Sequence, residues 1–303
     1  MQHQSPSRGP LGLWIAGARP RTLPAAIVPV LVGTACAVHD TGDWNHGVIV
    51  WRALAALVVS LAIQVGTNYA NDYSDGVRGT DAVRVGPVRL VASGLASAST
   101  VKRAAFAAFA VAALAGLGLA AAAGWWLIAV GAAAFLAGWF YTGGPRPYGY
   151  AGFGELFVFV FFGLVATIGS TYVQLEKITG LSVAAAIPVG LVATALLVTN
   201  NLRDIPTDRE AGKKTLAVRI GDHATRWLYA AIIVVVFAMV VAIAVADRPW
   251  AALALLGAAV AVAPVRTVLA GASGRALIPV LGATGRTQLV MGTLLAIGIA
   301  VSA

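Results

Sequence analysis

Charge is what this sequence has least of. Asp, Glu, Lys and Arg make up 11% of its 303 residues, where soluble domains carry about 25%. With 59% hydrophobic residues and a mean hydropathy of +0.84, a water-soluble class is excluded. Cysteine is almost absent. The single Cys36 lies in an apolar run, so there is neither a disulfide framework nor a thiolate metal cluster. The four histidines, His3, His39, His46 and His223, have no metal-ligand spacing. Met1 to Pro10 is polar and lacks the apolar core of a signal peptide. Acidic groups are scarce too, 12 against 21 Lys and Arg.

Long apolar runs are what the chain does have. A crossing helix needs about 20 apolar residues. Runs that fit lie at 23–39, 48–70, 103–123, 125–142, 154–174, 182–202, 226–246, 249–270 and 287–303. They predict an all-α membrane protein, a bundle of nine transmembrane helices surrounded by lipid. Residues 1–303 form one domain, with a polar cytoplasmic segment at 1–20. The 34 Gly and many Ala let such helices pack closely. If the spans alternate, all Lys and Arg except Arg52, Lys177 and Arg248 fall on the side of the N-terminus. The positive-inside rule makes that side cytoplasmic, with the C-terminus outside the cell membrane. The net charge of +9 is thus a topology signal, and nucleic acid is not an expected partner.

Half of the acids fall in two stretches. Asp72, Asp75 and Asp81 follow the second run, in N-Y-A-N-D-Y-S-D-G-V-R-G-T-D from Asn68. Asp204, Asp208 and Glu210 follow the sixth, in N-N-L-R-D-I-P-T-D-R-E from Asn200. Both are predicted on the cytoplasmic side. On a helix, residues three and four apart share a face, so Asn68, Asp72 and Asp75 form one row, with Asn71 and Asp75 also four apart. Asn201, Asp204 and Asp208 form a second. Two facing carboxylate rows repel unless cations lie between them. Oxygen-only ligands point to a hard cation, Mg²⁺ or Mn²⁺, and Mg²⁺ completes its shell with substrate phosphate. Adjoining Arg and Lys side chains suit the remaining phosphate oxygens. The competing reading is a set of solvated helix-end carboxylates, but ionisable groups at such depth mark function.

These stretches resemble the paired aspartate motifs of the UbiA superfamily of intramembrane prenyltransferases. The likeness runs from A-R-P-R-T-L-P-A at Ala18 to the last span, through G-P-V-R-L-V-x-S-G, Y-T-G-G-P-x-P-Y-G-Y-x-G-x-G-E and D-I-P-T-D-x-x-A-G-K-x-T. Y-T-G-G-P and N-N-L-R-D-I narrow it to the branch that prenylates 1,4-dihydroxy-2-naphthoate in menaquinone synthesis. The superfamily pattern has a further Asp eight residues after Asn71. Here Gly79 stands there and Asp81 comes two later, the shifted form that the naphthoate branch resembles.

The resemblance implies a cytoplasm-facing site with two Mg²⁺ ions held by Asn68, Asn71, Asp72, Asp75, Asp81, Asn201, Asp204 and Asp208. Arg89 and Lys102 resemble its phosphate-binding positions, and Arg146, Lys213 and Lys214 are further candidates for diphosphate. Tyr141, Tyr148 and Tyr150, in the loop with Arg146, either line an aromatic acceptor site or form an interfacial belt. Tyr141, Arg146 and Tyr150 are the catalytic candidates. Arg19 and Arg21 read as structural or headgroup contacts, Glu155 as a cavity acid or a helix cap, and most of Phe157, Phe159, Phe161 and Phe162 as lipid-facing. The implied reaction transfers a polyprenyl group from its diphosphate to the naphthoate, releasing carbon dioxide and diphosphate and giving demethylmenaquinone. Alternatives are another acceptor (4-hydroxybenzoate, homogentisate or a sugar phosphate) or a cation transporter. Transporters place their acids near the midplane on broken helices, not beside basic loops at one end.

Overall fold

The computed structural model describes residues 9–43, 47–80 and 89–303; Asp81 lies outside them. The described residues are helical, with no strand. In chain order the helices are α1 (Pro10–Ala18), α2 (Pro24–Thr41), α3 (Val50–Arg78), α4 (Ala98–Ala123), α5 (Leu127–Phe140), α6 (Gly154–Leu175), α7 (Gly180–Glu210), α8 (Leu216–Val245), α9 (Pro249–Leu269) and α10 (Gly274–Val301). Eight of these, α2–α4 and α6–α10, are long and apolar enough to cross a membrane; α5 is apolar but shorter.

Local chemistry sets the ends. Ser97, Thr179 and Thr215 cap α4, α7 and α8, each accepting a backbone N–H from three residues on, which satisfies an otherwise orphan donor. Gly79 closes α3 at φ 72°, a left-handed conformation that favours glycine. Two expectations change. Residues 10–18, placed in a polar segment, are an apolar helix whose Trp14 packs edge-on to Tyr69 and whose Trp14 carbonyl accepts from the Tyr69 hydroxyl at 2.9 Å. Nine residues are too few to span a bilayer, so their apolar character does not stand out beside the long runs. The last helix begins near residue 274 rather than 287, so Arg286 lies within α10, on its exposed side.

The most buried helices are α2, α7 and α10. Val28, Val189, Val192, Met291 and Leu295 meet in their core. Small residues set the closest approaches. A Cβ on Gly163 of α6 would stand 2.5 Å from the Cα of Gly190 of α7, so neither position has room for a side chain. Beside that crossing, residues Phe159–Val165 adopt π-helical turns, which recur at functional sites. Interhelical bonds do the rest. The Ser60 hydroxyl donates to the Ala26 carbonyl, the Thr171 hydroxyl to that of Gly33, and the Arg52 guanidinium to those of Ala122 and Val173. Arg52 therefore sits with the C-terminal ends of α4 and α6, at the end of the bundle remote from the acidic rows.

Candidate active site

The acidic ends of α3 and α7 meet. The Lys213 ammonium lies 3.5 Å from Asp75 Oδ1 and 3.8 Å from Asp208 Oδ1, with Lys213, Asp75 and Asp208 all buried. One cationic group already stands between the two rows, as their mutual repulsion requires. Arg89 Nη2 reaches Asp75 Oδ2 at 3.8 Å. Arg203, buried on α7, donates from Nε and Nη2 to the two Asp204 oxygens, at 2.7 Å each, and to Asn200 Oδ1 at 2.7 Å. The Tyr150 hydroxyl donates to Asp75 Oδ1, and its ring lies under Lys213 Nζ at 4.6 Å from the centroid.

These groups line one end of a cavity of about 1220 Å³. Asn68, Asn71, Asp75, Asn200, Asn201, Asp204 and Asp208 reach it, with Arg89, Arg203 and Lys213. Away from that end the walls are apolar, built by Gly116, Leu117, Ile128, Phe135, Phe157 and Phe161 among others. Leu117 and Ile128 are among the exposed apolar residues. The cavity thus joins a charged end to an apolar groove. Phe157, Phe161 and Phe162 line it, where lipid contact was expected; Phe159 packs against Gly190 instead.

Several expected residues are placed elsewhere. Asp72 is 1% exposed and accepts from the backbone N–H of Leu90 and Val91 at 2.8 and 3.0 Å. It holds the following segment down and so brings Arg89 to Asp75. Lys102 sits 5.5 Å over the Tyr73 ring, outside the cavity lining. Arg146 is exposed and also outside it. Arg78 takes the structural part in that loop, donating to the Thr142 and Gly144 carbonyls. The Lys214 side chain is exposed, and its backbone reaches the loop instead, its N–H donating to the Tyr150 carbonyl at 2.8 Å. Among the described residues no three His, Cys, Asp or Glu form a metal-holding group by themselves. Amide and substrate oxygens have to complete any shell here.

Tyr141 and Tyr148 both line the cavity, edge to face at 5.6 Å. Burial first, then the negative charge of Glu155, pushes the Tyr141 phenol well above its ordinary value. Burial, then Asp75, does the same to Tyr150. Both remain O–H donors at physiological pH rather than bases. Glu155 is buried, and its Oε1 accepts from Asn201 Nδ2 at 2.9 Å, which orients that amide. Arg203, Asn200 and Arg78 were not singled out from the sequence. The signal for Arg203 was present, a lone cation inside an acidic row.

The sequence profile of the UbiA prenyltransferase family matches residues 26–276. The chain belongs to this family. It is 51% identical over 277 residues to a Mycobacterium tuberculosis protein named 1,4-dihydroxy-2-naphthoate octaprenyltransferase, covering 91% of this chain and 93% of that one. An Escherichia coli protein of the same name is 36% identical over 301 residues, covering 95% of each. The fold is that of solved UbiA homologues. The apo structure of one from Aeropyrum pernix superposes with a TM-score of 0.68 at 15% identity, covering 91% of this chain and 96% of that one. One from Archaeoglobus fulgidus, bound to GPP and Mg²⁺, gives 0.61 at 14%, covering 93% and 99%.

Proposed function

We propose that this chain is a metal-dependent aromatic polyprenyltransferase. It moves a polyprenyl group from its diphosphate to 1,4-dihydroxy-2-naphthoate, with loss of diphosphate and carbon dioxide, giving the prenylated hydroquinone demethylmenaquinol, which a separate two-electron oxidation converts to demethylmenaquinone. The observation that carries this reading is the single cavity with acidic, amide and basic groups at one end and an apolar groove at the other. A prenyl diphosphate has that same division. The relatives' names supply the acceptor.

The donor set fits a hard cation. Asp75 and Asp208 bring carboxylates, and Asn68, Asn71 and Asn201 bring amide oxygens, with no nitrogen or sulfur ligand beside them. We take the ions to be Mg²⁺, two in number, with Mn²⁺ able to substitute. Bound there, Mg²⁺ neutralises the diphosphate and makes it a better leaving group. Lys213 and Arg89 add charge-assisted hydrogen bonds to phosphate oxygens, and Arg203 holds both Asp204 oxygens in line. Lys102, Arg146 and Lys214 drop out of the diphosphate set. Tyr150 holds Asp75 in place. The apolar groove takes the tail and excludes water, so that the allylic C–O bond ionises toward the aromatic ring rather than toward hydrolysis. The ring attacks the allylic carbon, and its carboxylate leaves as carbon dioxide. Tyr141, a neutral donor in the cavity wall, is placed to hydrogen-bond a ring oxygen.

Product mass tests the reaction. Purified protein with Mg²⁺, a prenyl diphosphate and each of 1,4-dihydroxy-2-naphthoate, 4-hydroxybenzoate and homogentisate should yield a decarboxylated prenyl adduct from the first alone. An adduct only from another acceptor would overturn the naphthoate reading, and no diphosphate release without a membrane gradient would favour transport.

The mouth of the cavity faces the cytoplasm of the cell membrane, and the chain crosses it nine times, α5 included. The rows close the C-terminal ends of α3 and α7 and lie at one end of the bundle, which requires an even number of crossings between them; α4, α5, α6 and α7 make four if α5 crosses and three if it does not. Its 14 residues span about 21 Å, short for a bilayer, with Trp125 and Trp126 at one end as interfacial anchors. On a Cys36→Ser background, a cysteine at Gly212 should label from the cytoplasm and one at Lys177 from outside. Labelling of both from one side would break the nine-span topology.

A further inference from the structure

We propose that Arg19 is the binding residue for the carboxylate of the aromatic acceptor, on a wall of the cavity separate from the diphosphate site. The proposal rests on the naphthoate reading of the reaction. Arg19 lines the cavity, and its Nη2 is buried without a hydrogen-bond partner. A buried guanidinium nitrogen left unpaired is costly, so a ligand is the natural place to look for its acceptor. The acidic rows do not need it. Lys213 serves Asp75 and Asp208, Arg203 serves Asp204, and Arg89 approaches Asp75.

The backbone points the same way. Arg19 has φ 54° and ψ 68°, left-handed for a residue with a Cβ, and it precedes Pro20, which disfavours helical geometry before it. Strain of this kind survives where surroundings enforce it, and it gathers at ligand sites. Here they do enforce it. Asn68 Nδ2 donates to the Ala18 carbonyl at 2.9 Å, and the Thr22 hydroxyl donates to the Arg19 carbonyl at 2.9 Å. Gln64 Nε2 donates to Thr22 Oγ1 at 2.8 Å. Gly285 of α10 comes close from the other side, where a Cβ would stand 2.9 Å from the Arg21 carbonyl. The loop that carries Arg19 is thereby tied to α3 through Asn68, one turn from Asn71 and two from Asp75.

Of the two substrates, both are anionic. The diphosphate has its own cations at the acidic rows. The acceptor's carboxylate has none among them, and a planar guanidinium matches a planar carboxylate with two parallel hydrogen bonds. Held that way, the acceptor ring lies in the cavity between Arg19 and the allylic carbon.

The test is Arg19→Gln and Arg19→Lys in the full chain, with thermal unfolding confirming the fold of each. Equilibrium binding compares 1-hydroxy-2-naphthoate with 1-naphthol, its counterpart without the carboxylate, and a non-reactive prenyl diphosphate analogue with Mg²⁺. The unaltered protein should bind the carboxylated probe at least about 10-fold more tightly than 1-naphthol, as expected for one charge-assisted contact. Arg19→Gln should bind both alike, Arg19→Lys should recover part of the difference, and the diphosphate analogue should bind all three proteins within about twofold. In turnover, the acceptor KM should rise with the same order. Unchanged discrimination in Arg19→Gln overturns the proposal. So does a loss of diphosphate binding as large as the loss of acceptor binding, which would assign Arg19 to the donor. Should the unaltered protein make no adduct from dihydroxynaphthoate at all, the reading beneath the proposal has failed instead.

Discussion

Asp75→Asn and Asp208→Asn should each fold normally and lose metal-dependent turnover by roughly 10³-fold, the upper range for a single electrostatic contact at a reacting centre. An amide keeps the shape of the side chain but not the anionic oxygen a hard cation prefers. Asp75 is the more connected of the two, meeting Tyr150, Lys213 and Arg89. Its neutralisation leaves two cations with less acid between them, so Asp75→Asn should be the less stable variant as well. Binding of the prenyl diphosphate analogue should fall alongside the rate, since both acids act on substrate binding. Asp72→Asn is the control. That carboxylate accepts two backbone N–H groups outside the cavity lining, so its loss should lower stability and, through Arg89, weaken diphosphate binding, while metal dependence persists. Near-normal rates in both Asp75→Asn and Asp208→Asn would remove the two-row metal site.

The second large effect is on the fold. Arg203→Met should destabilise the protein by about 3–5 kcal/mol, the usual cost of stripping one partner from a buried pair. Both partners have side chains at most 3% exposed, and Arg203 holds both Asp204 oxygens. Replacing the pair, as Arg203→Met with Asp204→Leu, should recover most of that loss, because well-packed apolar groups often match a buried ion pair. The double variant should nevertheless be inactive. Unfolding midpoints in detergent, converted through a denaturant series, give the comparison. A single variant as stable as the unaltered protein would mean that Asp204 is held by something other than this guanidinium.

Much of this protein was determined by its sequence alone. Scarce charge and long apolar runs leave no fold but a lipid-embedded helical one, because no bilayer solvates an unpaired backbone. The asymmetry of Lys and Arg, with the repeated acidic stretches, put both rows at one end, and Lys213 joins them there. Residue identity also carried the family. What the sequence could not decide was which residues of each stretch face the site. Helical periodicity names an arc and says nothing about what packs against it. Asn71 and Asp72 are neighbours about 100° apart on α3. One lines the cavity, and the other is spent on the backbone of Leu90 and Val91, because the returning chain happens to cover that side. Lys213 turns inward and Lys214 outward, and Arg146 lies exposed outside the cavity lining while Arg78, at the end of α3, ties down the loop that carries it. Arg19 depended on tertiary structure most of all. Contacts from α3 and α10 hold the loop that carries it, beside the local bond from Thr22, and its Nη2 lies buried without a partner; the contacts from α3 and α10 join residues 50 and more positions apart in the chain.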